Sequence, residues 1–199
     1  MKNSIKTFAK SLLAAIVLST SIFSTGAMAG EKQPTKVSAP KNVNQVIVSG
    51  NVEVTLIQRE KEGISYNNDN TGKVKVMQDG YALKISSEDK EVAKITLYVN
   101  NIYRVKASDQ AVVKTQGKLD VKYLQVFLKG NAVAEINSDT KSLYTVIENN
   151  ADLKLSGATE KHTLVMGRTP KLNLDRFAAL TTEISNPDTN APQAIALAK

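Results

Sequence analysis

The 199-residue chain has no cysteine, no tryptophan, a single histidine and only 5% aromatic residues. Without cysteine there is no disulfide framework, no thiolate metal site, no cysteine nucleophile and no lipid-modified cysteine. One histidine, His162, excludes a histidine-rich metal cluster and leaves few general bases. After the first 30 residues no apolar run approaches the roughly 20 residues that a membrane-crossing helix needs. Charge of one sign is scarce too, although the formal net charge of +7 hides it.

The N-terminus explains that charge. Lys2, Lys6 and Lys10 precede an apolar stretch from Leu12 to Phe23, and Ala27-Met28-Ala29 places small residues around one larger one. This is the pattern of a secretory signal peptide, residues 1–29, cut between Ala29 and Gly30. Cleavage removes three lysines and no acid, so the charge falls from +7 to +4 on the remaining 170 residues. The remaining basic residues are scattered rather than clustered, which argues against a nucleic-acid partner. Export places the chain in the periplasm, at the cell surface or outside the cell.

Residues 30–44, with Pro34 and Pro40, are polar and read as a linker. From Val46 onward apolar and polar residues alternate. Val52, Val54 and Leu56 flank Glu53 and Thr55, and Ile95, Leu97 and Val99 flank Thr96 and Tyr98. Period two with β-branched residues marks half-buried strands. Breaks fall at turn formers such as Asp79-Gly80, between two alternating runs, which is a hairpin signal. Residues 187–199, with Pro187 and Pro192, read as a flexible tail.

An internal repeat carries more information than any of these. Four stretches align without gaps, starting at Tyr103, Leu124, Leu143 and His162. One column reads Val105, Val126, Thr145, Leu164, and the next Ala107, Leu128, Ile147, Met166. A polar column follows, Gln110, Asn131, Asn150 and Thr169, joined by Asn51 from an earlier unit. Beyond it come Ala111, Ala132, Ala151 and Pro170, and then Val113, Ala134, Leu153 and Leu172. Each unit is strand, small polar turn, strand and loop. Alanine after the turn suits a crowded corner, and the amide column is placed to form a ladder across stacked turns. One such unit cannot bury its own apolar face, whereas a stack can. The pattern predicts an all-β chain folded as a right-handed parallel β-helix (solenoid) of about 19–21 residues per rung over residues 45–186. An antiparallel β-sandwich or meander is the alternative that alternation also allows. Residues 63–99 lack the alanine column and read as a less regular early part of the stack.

Three features resemble the head GIN domain family of auto-transporter adhesins, over roughly residues 44–186. They are the opening Val46-Ile47-Val48-Ser49-Gly50-Asn51-Val52-Glu53-Val54-Thr55-Leu56-Ile57-Gln58, the run Asp79-Gly80-Tyr81-Ala82-Leu83-Lys84-Ile85, and the strand–small turn–alanine–strand units. The resemblance implies an exported right-handed β-helix of Bacteroidetes type, related in shape to pectin lyases, with a role in adhesion and no recognised catalytic residues. The chain departs from the family at its turns. Members often carry Gly-Ser-Gly, whereas here the turns are Ser108-Asp109-Gln110, Lys129-Gly130-Asn131, Glu148-Asn149-Asn150 and Gly167-Arg168-Thr169.

Little in the chain points to catalysis. His162 falls in the column of Leu124 and Leu143, which makes it a core residue rather than a base. Carboxylates in the repeats are spread singly, and a glycosidase needs two at a set separation. Asn67 to Asn70 is oxygen-rich but reads as a polar turn rather than a calcium loop. No metal ligands, cofactor motif or catalytic set emerge. Tyr98, Tyr123 and Tyr144 sit at polar-phase strand positions and are candidate surface contacts. The reading is an exported, non-enzymatic interaction module for adhesion or surface binding, whose partner is a surface protein or glycan. It has no membrane segment after signal removal and is open to homo-oligomers. A polysaccharide-acting enzyme and a periplasmic structural or envelope protein are the alternatives. N-terminal sequencing of the exported chain is expected to begin at Gly30; an intact Met1 on the exported form contradicts cleavage.

Overall fold

The computed structural model describes residues 40–66, 73–167 and 169–185. The signal peptide, most of the linker, the Asn67 to Asn70 turn and the tail lie outside the described residues. Thirteen strands run in chain order. β1 (Gln45–Gly50), β2 (Val52–Gln58), β3 (Gly63–Tyr66), β4 (Lys75–Asp79), β5 (Ala82–Ser87) and β6 (Ala93–Val99) come first. β7 (Arg104–Ser108), β8 (Val112–Thr115), β9 (Leu119–Asp120) and β10 (Tyr123–Leu128) follow. β11 (Val133–Ile147), β12 (Asp152–Met166) and β13 (Lys171–Ser185) are 15 residues each. Among the described residues there is no helix, and the strands join in one curled mixed sheet.

Every pairing is parallel except β3 with β6 and β4 with β5. The antiparallel sandwich or meander is therefore not what these residues form. β11 shows how the sheet curls. Its first residues pair β8, its middle pairs β9 and its last residues pair β10, so one continuous strand turns past three shorter ones. β12 then follows β11 along nearly its whole length.

The register sets the core. Leu83, Val46, Val105, Val126, Thr145 and Leu164 are successive Cα partners, all pointing inward and buried. Ile95, Val54, Val113, Ala134 and Leu153 form a second inward row, equally buried. Packing of these rows against one another forms a single core cluster, and each fully buried aliphatic side chain contributes about 1.5–3 kcal/mol. Ala111, Ala132 and Ala151 are all 0% exposed. Their carbonyls accept bonds from Val133, Asp152 and Lys171 N–H, so the chain turns tightly there and leaves room only for a methyl group.

Residues 75–99 do form an early part of the stack, outside β1 and β2 rather than between them and β7 and β8. β5 pairs the free side of β1, and β6 pairs the free side of β2, so the first strands of the chain lie between later ones. Alternation within each strand is the same for any neighbour, so it does not record that β5 and β6 lie outside β1 and β2. The Asp79-Gly80 hairpin does form: Asp79 pairs Ala82 across a two-residue turn. At the opposite side, among the described residues, β13 pairs only β12, with Leu180 81% and Ile184 71% exposed.

The turns explain the departure from Gly-Ser-Gly. Gly50, Asp109, Gly130 and Asn149 hold corresponding turn positions, with φ of 76°, 64°, 75° and 60°. Asp and Asn reach this left-handed region more readily than other side-chain-bearing residues. Gly50 is more constrained than the rest, because a Cβ there would stand 1.9 Å from the Ser87 carbonyl oxygen. At Gly80, φ is also positive, but a Cβ would meet nothing within 4 Å. Gly80→Ala is therefore expected to lower unfolding stability by about 1–2 kcal/mol from strain alone. Gly50→Ala is expected to lose several times more or to fail to fold. Equal losses in urea unfolding contradict the close approach of Gly50 to Ser87.

Candidate functional site

The same register that buries one set of residues presents another. Between the inward rows, β1, β7, β10, the second half of β11 and the second half of β12 turn two rows outward. The first reads Gln45, Arg104, Gln125, Tyr144, Thr163, and the second Ile47, Lys106, Phe127, Val146, Val165. Apart from the buried Val165, these side chains are half-buried: the sheet floor shields their stems and solvent reaches their tips.

Polar and aromatic groups interlock on this face. Arg104 Nε donates to Gln125 Oε1 at 2.7 Å. The Arg104 guanidinium lies 5.4 Å from the Tyr103 ring and 5.6 Å from the Phe127 ring. Lys106 Nζ is 5.4 Å from Phe127, and Phe127 meets Tyr144 at 5.9 Å with a tilt of 56°. Gln45 Nε2 donates to Tyr103 Oη at 2.5 Å. A cation over a ring gains about 0.5–1 kcal/mol at exposed sites, so these contacts hold the cations on the sheet and away from bulk solvent. Lys106, Phe127, Lys129 and Glu148 help to line a shallow cavity of about 260 Å³ beside the stripe.

The structure separates the three tyrosines. Tyr144 is central to this face. Tyr123, 54% exposed, lies at its rim on β10, with Lys122 Nζ 5.1 Å from its ring. Tyr98 lies elsewhere, opposite Ile57 on β2 and beside Gly63, with Arg59 stacked 4.2 Å over its ring. Arg104, Lys106, Gln125 and Phe127 were not singled out from sequence. The aligned repeats contain them, as the two columns either side of Val105, Val126, Thr145 and Leu164.

The turn column is only partly joined. Asn150 Nδ2 donates to Asn131 Oδ1 at 3.4 Å, one step of an amide ladder. Thr169 Oγ1 donates instead to the Asn149 carbonyl at 2.6 Å. Asn51 Nδ2 donates to the carbonyls of Lys90 and Asp89, which ties it to the loop before β6. No hydrogen bond from the Gln110 side chain joins it to the others among the described residues. These residues hold turns.

A second concavity, a groove of about 790 Å³, runs from the end of β9 and the segment after it across the middles of β11, β12 and β13. Register places Asp120 beside Asp139 there, and Lys118 pairs with Asp139 at 3.2 Å. Both carboxylates are exposed. Among the described residues no three His, Asp or Glu side chains gather to hold a metal.

His162 is fully buried, opposite Leu143, with its ring edge-on to Phe177 at 5.3 Å. Nε2 shares a hydrogen bond with Thr145 Oγ1 at 2.9 Å, which explains a threonine in an otherwise apolar row. Nδ1 has no partner. Burial pushes the imidazole pKa below its ordinary 6.5, because a charge is poorly solvated there.

Parallel strands stacked around an aliphatic core, with an aromatic and cationic outer stripe, define an all-β domain. Residues 42–187 match the family described as "Putative auto-transporter adhesin, head GIN domain", and the chain belongs to that family. Solved structures share the fold. A putative adhesin from Parabacteroides merdae ATCC 43184 has a TM-score of 0.55 at 15% identity, covering 74% of this chain and 75% of that one. A putative adhesin from Parabacteroides distasonis ATCC 8503 has 0.54 at 12% identity, with the same coverage. A putative lipid binding protein from the same Parabacteroides distasonis strain has 0.54 at 9% identity, covering 73% and 74%. No curated protein matches the chain. Among the described residues no helix is long and apolar enough to cross a membrane.

His162 sets a pH dependence with a definite sign. The unfolded chain protonates near pH 6.5 and the folded one only at lower pH, so the unfolded state binds more protons between the two values. Stability is expected to be level in this respect above about pH 7.5 and to fall as pH drops through about 6.5 toward the folded value. His162→Gln is expected to flatten that part of a urea-unfolding series. A wild-type curve that rises on acidification contradicts the assignment.

Proposed function

We propose that the chain is an exported, non-enzymatic β-solenoid that attaches to a cell-surface molecule through the stripe on β7, β10 and β11. The observation that carries this reading is the interlocked group of Arg104, Lys106, Phe127 and Tyr144 on interior strands of the sheet. Tyrosine and arginine are enriched at the contact surfaces of proteins, and a side chain already held by neighbours loses little freedom on binding. The parallel registers support a coil of about 19–21 residues per rung, and the strong bias of parallel crossovers supports a right-handed one. The name of the family supports adhesion. The signal peptide supports delivery to the periplasm or surface, and the edge of β13, which has no second strand partner among the described residues, is where a second copy joins.

The polysaccharide-acting alternative is less well supported. It needs one carboxyl group kept protonated by an apolar setting beside a second, ionised one. Asp120 and Asp139 are both exposed, and Asp139 is already paired with Lys118.

Fluorescently labelled protein, produced by export, is expected to bind intact cells or matrix, and Tyr144→Ala is expected to weaken binding on the order of tenfold. Tyr144 is half-exposed, so its circular dichroism and unfolding midpoint should stay near wild type. Wild-type attachment by a strain lacking the gene, together with no binding to any cell or matrix surface, overturns adhesion. Protease treatment of intact cells separates a surface location from a periplasmic one.

A further inference from the structure

We propose that this stripe takes an anionic sugar chain, one carrying carboxylate or sulfate groups. The proposal rests on the binding face described above and names its ligand class.

Charge comes first. Arg104, Lys106, Lys122 and Lys129 have no carboxylate within ion-pair distance among the described residues, although pairs such as Lys84–Asp79 and Lys161–Glu183 form elsewhere. Arg104 is held by an amide and by rings, which leaves its terminal nitrogens free of an internal anion. Lys106 rests on Phe127 in the same way. Glu148 is the one carboxylate lining the adjacent cavity. The cations on an aromatic floor are partly desolvated, so an incoming anion is attracted more strongly than by a freely hydrated lysine.

Shape excludes an added peptide strand. β7 pairs β1 and β10, and β10 pairs β7 and β11, so the backbone beneath the stripe is fully engaged and cannot accept an added strand. The neighbouring cavity of about 260 Å³ is open and falls below the roughly 300–1,000 Å³ of sites that enclose a compact small molecule. The remaining features are shallow and repeat at the strand spacing of about 4.8 Å. Gln125 supplies an amide, Tyr123 and Tyr144 supply hydroxyls, Phe127 supplies an apolar surface, and Arg104 and Lys106 supply charge. A sugar chain offers hydroxyls, apolar ring faces and, when acidic, anions along its length. A flexible chain laid across adjacent strands can use all three without needing a deep pocket.

The test is titration calorimetry on the full exported protein with three hexasaccharides: heparin-derived, hyaluronan-derived and neutral maltohexaose. At least one anionic probe is expected to bind, more weakly as salt rises, and maltohexaose is expected not to bind. Arg104→Gln and Lys106→Gln are each expected to lower affinity on the order of tenfold with unchanged circular dichroism. Lys154→Gln, on a different strand segment, is expected to leave it unchanged. No binding of either anionic probe, equal binding of the neutral one, or loss of nothing in both stripe variants overturns the proposal. The wider reading fails separately: if Tyr144→Ala abolishes cell binding while no anionic sugar binds, the face stands and the ligand class falls.

Discussion

Stacking of inward aliphatic rows between parallel strands is the constraint on which the molecule depends. A single unit such as Tyr103 to Thr115 has one apolar face and nothing to bury it against. When Val105 is set against Val126 and Val126 against Thr145, each unit closes the face of the next. The tight corners follow from this demand. Ala111, Ala132 and Ala151 are small because consecutive turns crowd one another, and Asp109 and Asn149 adopt positive φ because the chain must reverse there.

The outer face is a consequence of the inner one. In a strand, residues i and i+2 share a side, so fixing Val105 and Ala107 inside fixes Arg104 and Lys106 outside. Arg104, Gln125 and Tyr144 then meet because their strands are in register, although 21 and 19 residues separate them in the chain. The site thereby sits on interior strands rather than on loops, and its geometry is as firm as the core beneath it. A slip of one residue between β7 and β10 would turn Lys106 or Phe127 inward, so the core's preference for aliphatic side chains also fixes the outer stripe.

Much of this was legible in the residues, and the limits have physical causes. Aliphatic columns were visible because burial tolerates only a narrow set of side chains at Val105, Val126 and Leu164. The positive-φ turn was visible at Gly50 and Gly130, and less so at Asp109 and Asn149, where a side chain reaches the same backbone conformation. The placement of β5 and β6 outside β1 and β2 was not visible, because alternation records which side of a strand is buried and not which strand lies beside it. The stripe is hidden in the sequence for a related reason. An outward row is chosen for function rather than packing, so Arg104, Gln125, Tyr144 and Thr163 share no composition that stands out. The tyrosines alone pointed to surface contacts, but Tyr98, Tyr123 and Tyr144 are similar in sequence and differ in space. Thr145 stands in an apolar column because His162 lies within hydrogen-bond distance, at 2.9 Å, a pairing that spacing alone does not record.

The central claim is that these strands are parallel and in register around one core. It is tested most directly by cross-strand nuclear Overhauser contacts in uniformly labelled protein. The account predicts a continuous set of parallel-type contacts linking Val105, Val126, Thr145 and Leu164, and another linking Val113, Ala134 and Leu153. Antiparallel contacts between the same segments, or a set displaced by one residue, would contradict it and would remove the outward stripe along with the core.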